Sequence, residues 1–177
     1  MVGYLPGGFR GKCCVCDEVF KDFQWGDLKK LGRRELPMSR GVYVLRLVVD
    51  ESEEPSDLYQ RVDAAYARAL ELLEKSGWRE LKGYFGKRVK RIKNIDPVKC
   101  PVIYIGATGR GSGNLRSRFQ NLAGLRHTIF YPVFALLLAG WDIDFGWMEF
   151  EDAFSLENQL MTRYKAVHKD IPALNKG

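Results

Sequence analysis

The feature that most limits what this chain can fold into is a strand pattern that leads through a glycine-rich turn into a helix pattern. Residues 100–119 read CPVIYIGATGRGSGNLRSRF. The β-branched and aromatic residues of 101–108 predict a strand, and Asn114 is a suitable N-cap for a helix that runs to about Leu122. A strand followed at once by a helix is typical of folds in which helices pack on a sheet.

The three glycines of this turn raise the question of a phosphate-binding loop. A Walker loop needs a lysine followed by Ser or Thr after its last glycine, because an ammonium group must reach the terminal phosphates. Here Gly111 is followed by Ser112 and Gly113. The dinucleotide fingerprint G-x-G-x-x-G also fails, since Gly109, Gly111 and Gly113 are spaced by two and two. The sequence therefore argues against both kinds of nucleotide-cofactor site.

The other elements follow from apolar periodicity and from the positions of Gly and Pro. Apolar residues recur at helical spacing from Leu58 to Leu73 and predict a helix that stops at Gly77. The remaining predictions are, in chain order, a short helical region at 17–38, a strand at 41–49, a strand pair or irregular structure at 78–99, a helix at 132–139, a strand at 142–150 and a helix at about 153–168. This order suits one α/β or α+β domain over 1–177 with a small sheet.

The net charge of +6 is unevenly spread along the chain. Residues 82–99 hold seven lysines and arginines against one acid, Asp96. A one-sided basic field favours polyanions such as nucleic acid, because neutralising phosphates releases counterions. The alternative is a solvated basic face without a partner.

The sequence gives no sign of a membrane segment or of export. No apolar run approaches the roughly 20 residues that a membrane helix needs. The start, MVGYLPGGFRGK, lacks the apolar core of a signal peptide. We therefore expect a cytoplasmic protein without a membrane partner.

Four cysteines stand at positions 13, 14, 16 and 100. Disulfides are not expected in a protein without signs of secretion. Cys13 and Cys16 have C-x-x-C spacing, but without a second such pair a structural zinc site would have to recruit Cys100 or a distant histidine. Reduced, partly buried thiols are the simpler expectation.

Two charged residues point toward apolar helix faces. In the last predicted helix, Glu157 projects close to Met161 and Tyr164 on the apolar stripe, although carboxylates are rarely buried unless they are paired or bound to a metal. Arg118 lies near the apolar stripe of its own helix, and periodicity prefers it only slightly to Arg116. The alternative for Glu157 is a position at the rim of the core, paired with a nearby arginine.

Tyr43 and Tyr104 lie in predicted strands that would pair if the sheet is antiparallel. Each tyrosine alone is more typical of a core aromatic, although a buried phenol usually needs a hydrogen-bond partner. Together with an arginine and a lone acid, the two phenols suggest phosphodiester chemistry. In that chemistry a metal binds the acid, a guanidinium binds the phosphate and the phenols manage the attacking water.

Five ordered motifs of the chain resemble those of the GIY-YIG nuclease family. They are Gly41-Val42-Tyr43, Tyr104-Ile105-Gly106, Asn114-Leu115-Arg116-Ser117-Arg118-Phe119, Leu156-Glu157-Asn158-Gln159-Leu160 and Pro172-Ala173-Leu174-Asn175. Their order carries the resemblance, which covers about 40–49 and 100–177. It implies a small three-stranded antiparallel sheet flanked by helices, with 1–39 as an N-terminal extension and 50–99 as a helical and basic insertion.

The resemblance also implies roles for individual residues. Glu157 would bind a single Mg²⁺ or Mn²⁺ beside the leaving oxygen, and Arg118 would hold the scissile phosphate. Tyr43 and Tyr104 would orient or deprotonate the attacking water, with the base unassigned between them, and Asn175 would shape the site from the tail. Hydrolysis would leave a 5′-phosphate and a 3′-hydroxyl. Members of the family often carry His or Tyr one turn after the arginine, where Leu122 stands here.

The substrate implied is double-stranded DNA, cut by a restriction-type or structure-directed enzyme. The expected DNA contacts are basic residues of the insertion and of the region around the glycine turn: Lys87, Arg88, Lys90, Arg91, Lys93, Arg110 and Arg116. An enzyme with one site per chain tends to cut both strands as a homodimer. The alternatives are a catalytically silent nucleic-acid-binding module of the same fold and an RNA-directed nuclease.

Overall fold

A four-stranded antiparallel sheet forms the centre of the computed structural model, which describes residues 15–50, 52–76, 79–109, 111, 113–124 and 126–176. The strands are β1 Gln24–Asp27, β2 Gly41–Leu47, β3 Val102–Ala107 and β4 Ile143–Glu149, in the order β1-β4-β2-β3. The helices found in these ranges are α1 Val15–Val19, α2 Pro55–Lys75, α3 Arg79–Ile92, α4 Leu115–Ala123, α5 Phe130–Leu138 and α6 Ala153–His168, with a 3₁₀ turn at Arg33–Glu35. The predicted mixed class is confirmed.

The sheet has one strand more than the three that the family resemblance implies. The additional strand, β1, pairs with β4 and lies within 17–38, where a helical region was predicted. That prediction is wrong, because α1 ends at Val19. The strand β1 is followed by a turn, in which the Asp27 carboxylate accepts a hydrogen bond from the Lys29 N–H at 2.8 Å. A strand of four residues is too short to show an alternating pattern, and the ladder with β4 stabilises it.

The helix α3 occupies 79–92, within the stretch that was predicted to be a strand pair or irregular. That prediction is wrong. Phe85, Val89 and Ile92 are buried at i, i+4 and i+7 in the core shared with α2 and α5. Gly83 and Gly86 obscure the pattern, since each costs about 1 kcal/mol of helix propensity relative to alanine. Burial of the apolar stripe outweighs this cost.

The other predicted helices form close to their expected bounds because their ends are well specified. Asn114 caps α4: its side-chain oxygen accepts from the Ser117 N–H at 2.8 Å, while the Ser117 hydroxyl accepts from the Asn114 N–H at 3.0 Å. This reciprocal capping box satisfies two backbone donors at the helix start. Pro132 lies in the first turn of α5, as expected.

The sheet is covered on both faces, so β2 at its centre is buried along its whole length. Tyr43, Leu45 and Phe145 point into a core formed with α2, α3, α4 and α5. Val42 and Val44 point into a second core formed with α1 and α6. No helix in the described part of the chain combines the length and the apolar character that crossing a membrane requires.

Candidate active site

Four of the predicted catalytic residues line one cleft. Tyr43 of β2, Tyr104 of β3, Arg118 of α4 and Glu157 of α6 share a cavity of about 300 Å³. The other lining residues are Ala107, Arg126, His127, Thr128 and Phe154. The helix α6 packs on the opposite face of the sheet from α4, so only the folded chain brings these groups together.

The two phenols lie side by side because β2 and β3 pair in antiparallel fashion, as the sequence predicted. Tyr43 lies opposite Gly106, and Leu45 lies opposite Tyr104. The tyrosines are therefore diagonal neighbours on one face, with ring centroids 5.7 Å apart. Gly106 gives the rings room, since a Cβ there would lie 2.6 Å from Tyr104 Cε1 and 2.9 Å from Tyr43 Cζ. Any side chain at position 106 would push the rings away.

A hydrogen bond joins His127 to Tyr43, whose ring packs beside that of Tyr104. The Ile129 N–H donates to His127 Nδ1 at 3.3 Å, so the ring proton of the neutral imidazole is on Nε2. His127 Nε2 lies 2.8 Å from the Tyr43 hydroxyl and donates to it. His127 therefore fixes the position of the Tyr43 hydroxyl beside Tyr104.

The pKa values of these groups follow from their burial and from their neighbours. Burial, reinforced by the charges of Arg118 and Arg88, lowers the pKa of His127 to about 4, so the ring is neutral at pH 7. Burial raises the pKa of Tyr43 well above its ordinary value, and the Tyr104 phenol raises it further. Burial also raises the pKa of Tyr104, but the interaction with Tyr43 opposes this shift. Tyr104 is therefore the phenol of the two that ionises more readily.

The Arg118 guanidinium reaches the cleft with part of its hydrogen-bonding capacity unused. Its Nε is buried and has no partner among the described residues. Gly109 makes space for this group, because a Cβ at position 109 would fall closer than 3.0 Å to Arg118 Nη2. A buried guanidinium donor that is not satisfied by the protein is suited to an anionic oxygen.

Among the described residues, Glu157 is the one carboxylate that lines the cleft. Burial raises its pKa, and the positive charge of Arg118 opposes that shift. A carboxylate oxygen is the ligand that Mg²⁺ prefers, and Mg²⁺ is typically held by one or two carboxylates together with substrate phosphate and waters. A half-buried glutamate that shares a cleft with an arginine has the donor chemistry that such an ion prefers.

Asn175, the fifth predicted catalytic residue, is buried and does not line the cleft. Its side-chain oxygen accepts from the Ile105 N–H at 3.0 Å, and its amide donates to the Ile105 carbonyl at 2.6 Å. Both polar ends of the side chain are thus engaged by one strand residue. Asn175 fixes the backbone next to Tyr104, which is a positioning role.

Three arginines that were predicted to contact DNA are engaged within the protein. Arg88 is 5% exposed, and its Nε donates to the Leu174 carbonyl at 2.8 Å. Arg91 donates to the Ile171 carbonyl at 2.8 Å, and Arg116 donates to the Leu36 carbonyl at 2.9 Å. Arg88 therefore belongs to the interior, while Arg91 and Arg116 hold the tail and the segment before β2.

The lysines of the same prediction lie on the surface. Lys87, Lys90 and Lys93 are exposed. Arg110 lies outside the described residues. The basic region thus divides into arginines that anchor the C-terminal tail and lysines that face solvent.

His127 is the site residue that sequence reasoning missed. It follows α4, whereas the expected place for such a residue was one turn after Arg118, where Leu122 is buried in the core. Residues 124–129 have no periodic pattern, so the sequence gives no signal that this imidazole points toward the tyrosines.

Comparisons with known proteins found no relative of this chain. No family model matches the chain, no curated protein matches it, and no solved structure matches its fold.

Proposed function

We propose that this protein is a metal-dependent endonuclease of GIY-YIG type that hydrolyses DNA phosphodiester bonds. One observation carries the proposal: Tyr43, Tyr104, Arg118 and Glu157, the residues that the sequence motifs single out, line the same cleft. They come from four different elements, and none of the four is close to another in sequence. A binding module has no need of a half-buried carboxylate beside two phenols and an arginine.

In this proposal the Arg118 guanidinium receives the scissile phosphate. The guanidinium, which lines the cleft, donates to a non-bridging oxygen and stabilises the charge that develops there. Glu157 would hold Mg²⁺ or Mn²⁺. Such an ion would neutralise negative charge on the phosphate and on the leaving oxygen. Glu157 must be ionised to hold the ion.

The pKa directions support Tyr104 as the base, because burial raises the pKa of Tyr43 more strongly. Tyr104 first loses its proton to solvent, which the charges of Arg88 and Arg118 favour, and its phenolate then takes a proton from the attacking water. The water oxygen bonds to phosphorus and the bond from phosphorus to the 3′-oxygen breaks. The leaving oxygen keeps the electron pair and takes a proton from solvent, which yields a 3′-hydroxyl and a 5′-phosphate.

The exposed lysines of α3 are the proposed contacts to the double-stranded DNA backbone. Lys87 and Lys90 lie on the solvent side of α3, and Lys93 follows just after its end. Such contacts position a duplex without reading its sequence. Cleavage of both strands by one site per chain would involve two copies of the protein.

The test is cleavage of supercoiled plasmid with Mg²⁺, with Mn²⁺ and with chelator, using wild type and Glu157→Gln. Glu74→Gln is the matched control, because Glu74 is an exposed carboxylate on α2 and the change in charge is the same. We expect wild type and the control to cut only with metal, and Glu157→Gln to bind DNA without cutting it.

A wild-type protein that shifts plasmid, branched DNA or RNA on a gel but cuts none of them would overturn the proposal in favour of a silent binding module. Cutting of RNA alone would instead assign an RNA-directed nuclease. Equal activity in Glu157→Gln and Glu74→Gln would remove Glu157 from the mechanism.

A further inference from the structure

A second group of chemically reactive side chains lies away from the cleft. Cys16 of α1, Cys100 before β3 and His168 at the end of α6 come together from three separate parts of the chain. Cys16 Sγ lies 3.7 Å from Cys100 Sγ and 3.7 Å from His168 Nε2. One ligand atom from each of the three residues lies within 4.8 Å of the other two.

These distances match the edges of a zinc coordination tetrahedron. With Zn–S near 2.3 Å and Zn–N near 2.0 Å, two thiolates bound to one ion are separated by about 3.8 Å, and a thiolate and an imidazole nitrogen by about 3.6 Å. A disulfide would instead bring the two sulfurs to about 2.05 Å. The Cys16–Cys100 separation of 3.7 Å therefore corresponds to two ligands of one ion and not to a covalent bond.

The chemistry of the donor set also favours zinc. Thiolate and imidazole donors select Zn²⁺ over Mg²⁺ or Ca²⁺, which prefer oxygen. Cys16 and Cys100 are 4% and 8% exposed, so two thiolates there would need a compensating charge. One divalent ion neutralises both thiolates.

We infer that Cys16, Cys100 and His168 bind a structural zinc ion that fastens α1 and the end of α6 to the start of β3. Cys13 and Cys14 lie outside the described residues and are not part of the proposed site. His168 lies eleven residues beyond Glu157 on α6. That spacing is roughly 16 Å along the helix, so the zinc site is separate from the cleft.

The ion would stabilise the position of α6 relative to the sheet. The helix contributes its first turns to the cleft and its last residue to the zinc site. Fixing the far end of α6 restricts sliding of the helix along β3, against which it packs through Leu160 and the partly buried Tyr164. The inference stands on the cluster alone and does not depend on the proposed nuclease activity.

The test measures metal content of the full chain expressed with zinc and purified without chelator. We expect one zinc per chain by native mass spectrometry. Replacement by Co²⁺ should give the thiolate-to-cobalt charge-transfer band and the d–d bands of tetrahedral cobalt. His168→Gln should lose stoichiometric zinc, whereas His127→Gln, the matched control on the other histidine, should keep it.

Several results would overturn the inference. A chain that retains no zinc and gives no thiolate-to-cobalt band has packed thiols only. A mass lower by two hydrogens at Cys16 and Cys100 would show a disulfide. The cobalt spectrum of wild type decides the matter even if the variants fail to fold.

Discussion

Gly109 leaves room for the Arg118 guanidinium, and Gly109→Ala should therefore lower catalysis without unfolding the protein. An alanine Cβ would fall closer than 3.0 Å to Arg118 Nη2, whereas ordinary van der Waals contact begins at 3.4 Å. The guanidinium must withdraw by about 1 Å. A displacement of that size at a catalytic group costs about 100-fold in rate, or roughly 2.7 kcal/mol of transition-state stabilisation.

The expected effect on stability is small, because the atoms that must move are at the end of a flexible side chain. The backbone at Gly109 does not have a positive φ, so alanine fits its conformation. The assay compares kcat/KM for plasmid cleavage with the thermal midpoint for wild type and Gly109→Ala. We expect a loss of about 100-fold in kcat/KM with an unchanged midpoint.

A double-mutant cycle with Arg118→Ala makes this test sharper. If Gly109 acts only by placing Arg118, Gly109→Ala has no further effect on cleavage once the guanidinium has been removed. Gly109 does not act by placing Arg118 if Gly109→Ala cuts DNA at the wild-type rate, or if it lowers activity equally in the Arg118→Ala background.

Three further predictions concern pH and stability. The pKa of His127 is lowered to about 4, so the unfolded state binds a proton before the folded state does as pH falls below about 6.5. Urea titrations should show the free energy of unfolding falling by up to roughly 3 kcal/mol between pH 6.5 and about 4. His127→Gln should remove this pH-dependent loss of stability. Burial raises the pKa of Glu157, so the charge of this carboxylate destabilises the fold at neutral pH. Glu157→Gln should therefore unfold at the same temperature as wild type or at a higher one, while losing cleavage. A lower thermal midpoint would contradict this prediction. Asp144→Ala should cost about 3–5 kcal/mol in chemical denaturation, because it removes the carboxylate that lies 2.9 Å from Nη2 of the buried Arg46. A cost below about 1 kcal/mol would refute this prediction.

Elements with strong local signals were the ones that the sequence predicted well. The helix α6 forms over Ala153–His168, where the predicted helix was about 153–168. The helix α4 follows from the Asn114 cap. In contrast, β1 depends on its partner strand and α3 on burial of its apolar stripe, so neither was visible in local propensity. Tertiary packing decides these two cases.

The candidate site shows the same division. Helical periodicity indicated that Arg118 and Glu157 face inward, and strand pairing indicated that Tyr43 and Tyr104 could meet; the structure brings all four together. Periodicity does not tell which buried arginine meets a backbone carbonyl, which is why Arg88 was grouped with surface residues. The position of His127 depends on the path of the chain between two helices, for which the sequence has no pattern.

The contacts of Asn175 have a consequence for association between molecules. The strand β3 is at the edge of the sheet, and an uncovered edge is a template for pairing with the strand of another molecule. The tail covers it: the Leu174 N–H donates to the Ile103 carbonyl at 2.9 Å, and Asn175 engages both backbone groups of Ile105. The C-terminal tail thus protects the protein against edge-to-edge aggregation, and deleting the residues from Pro172 onward would open the strand that carries Tyr104 to foreign strands.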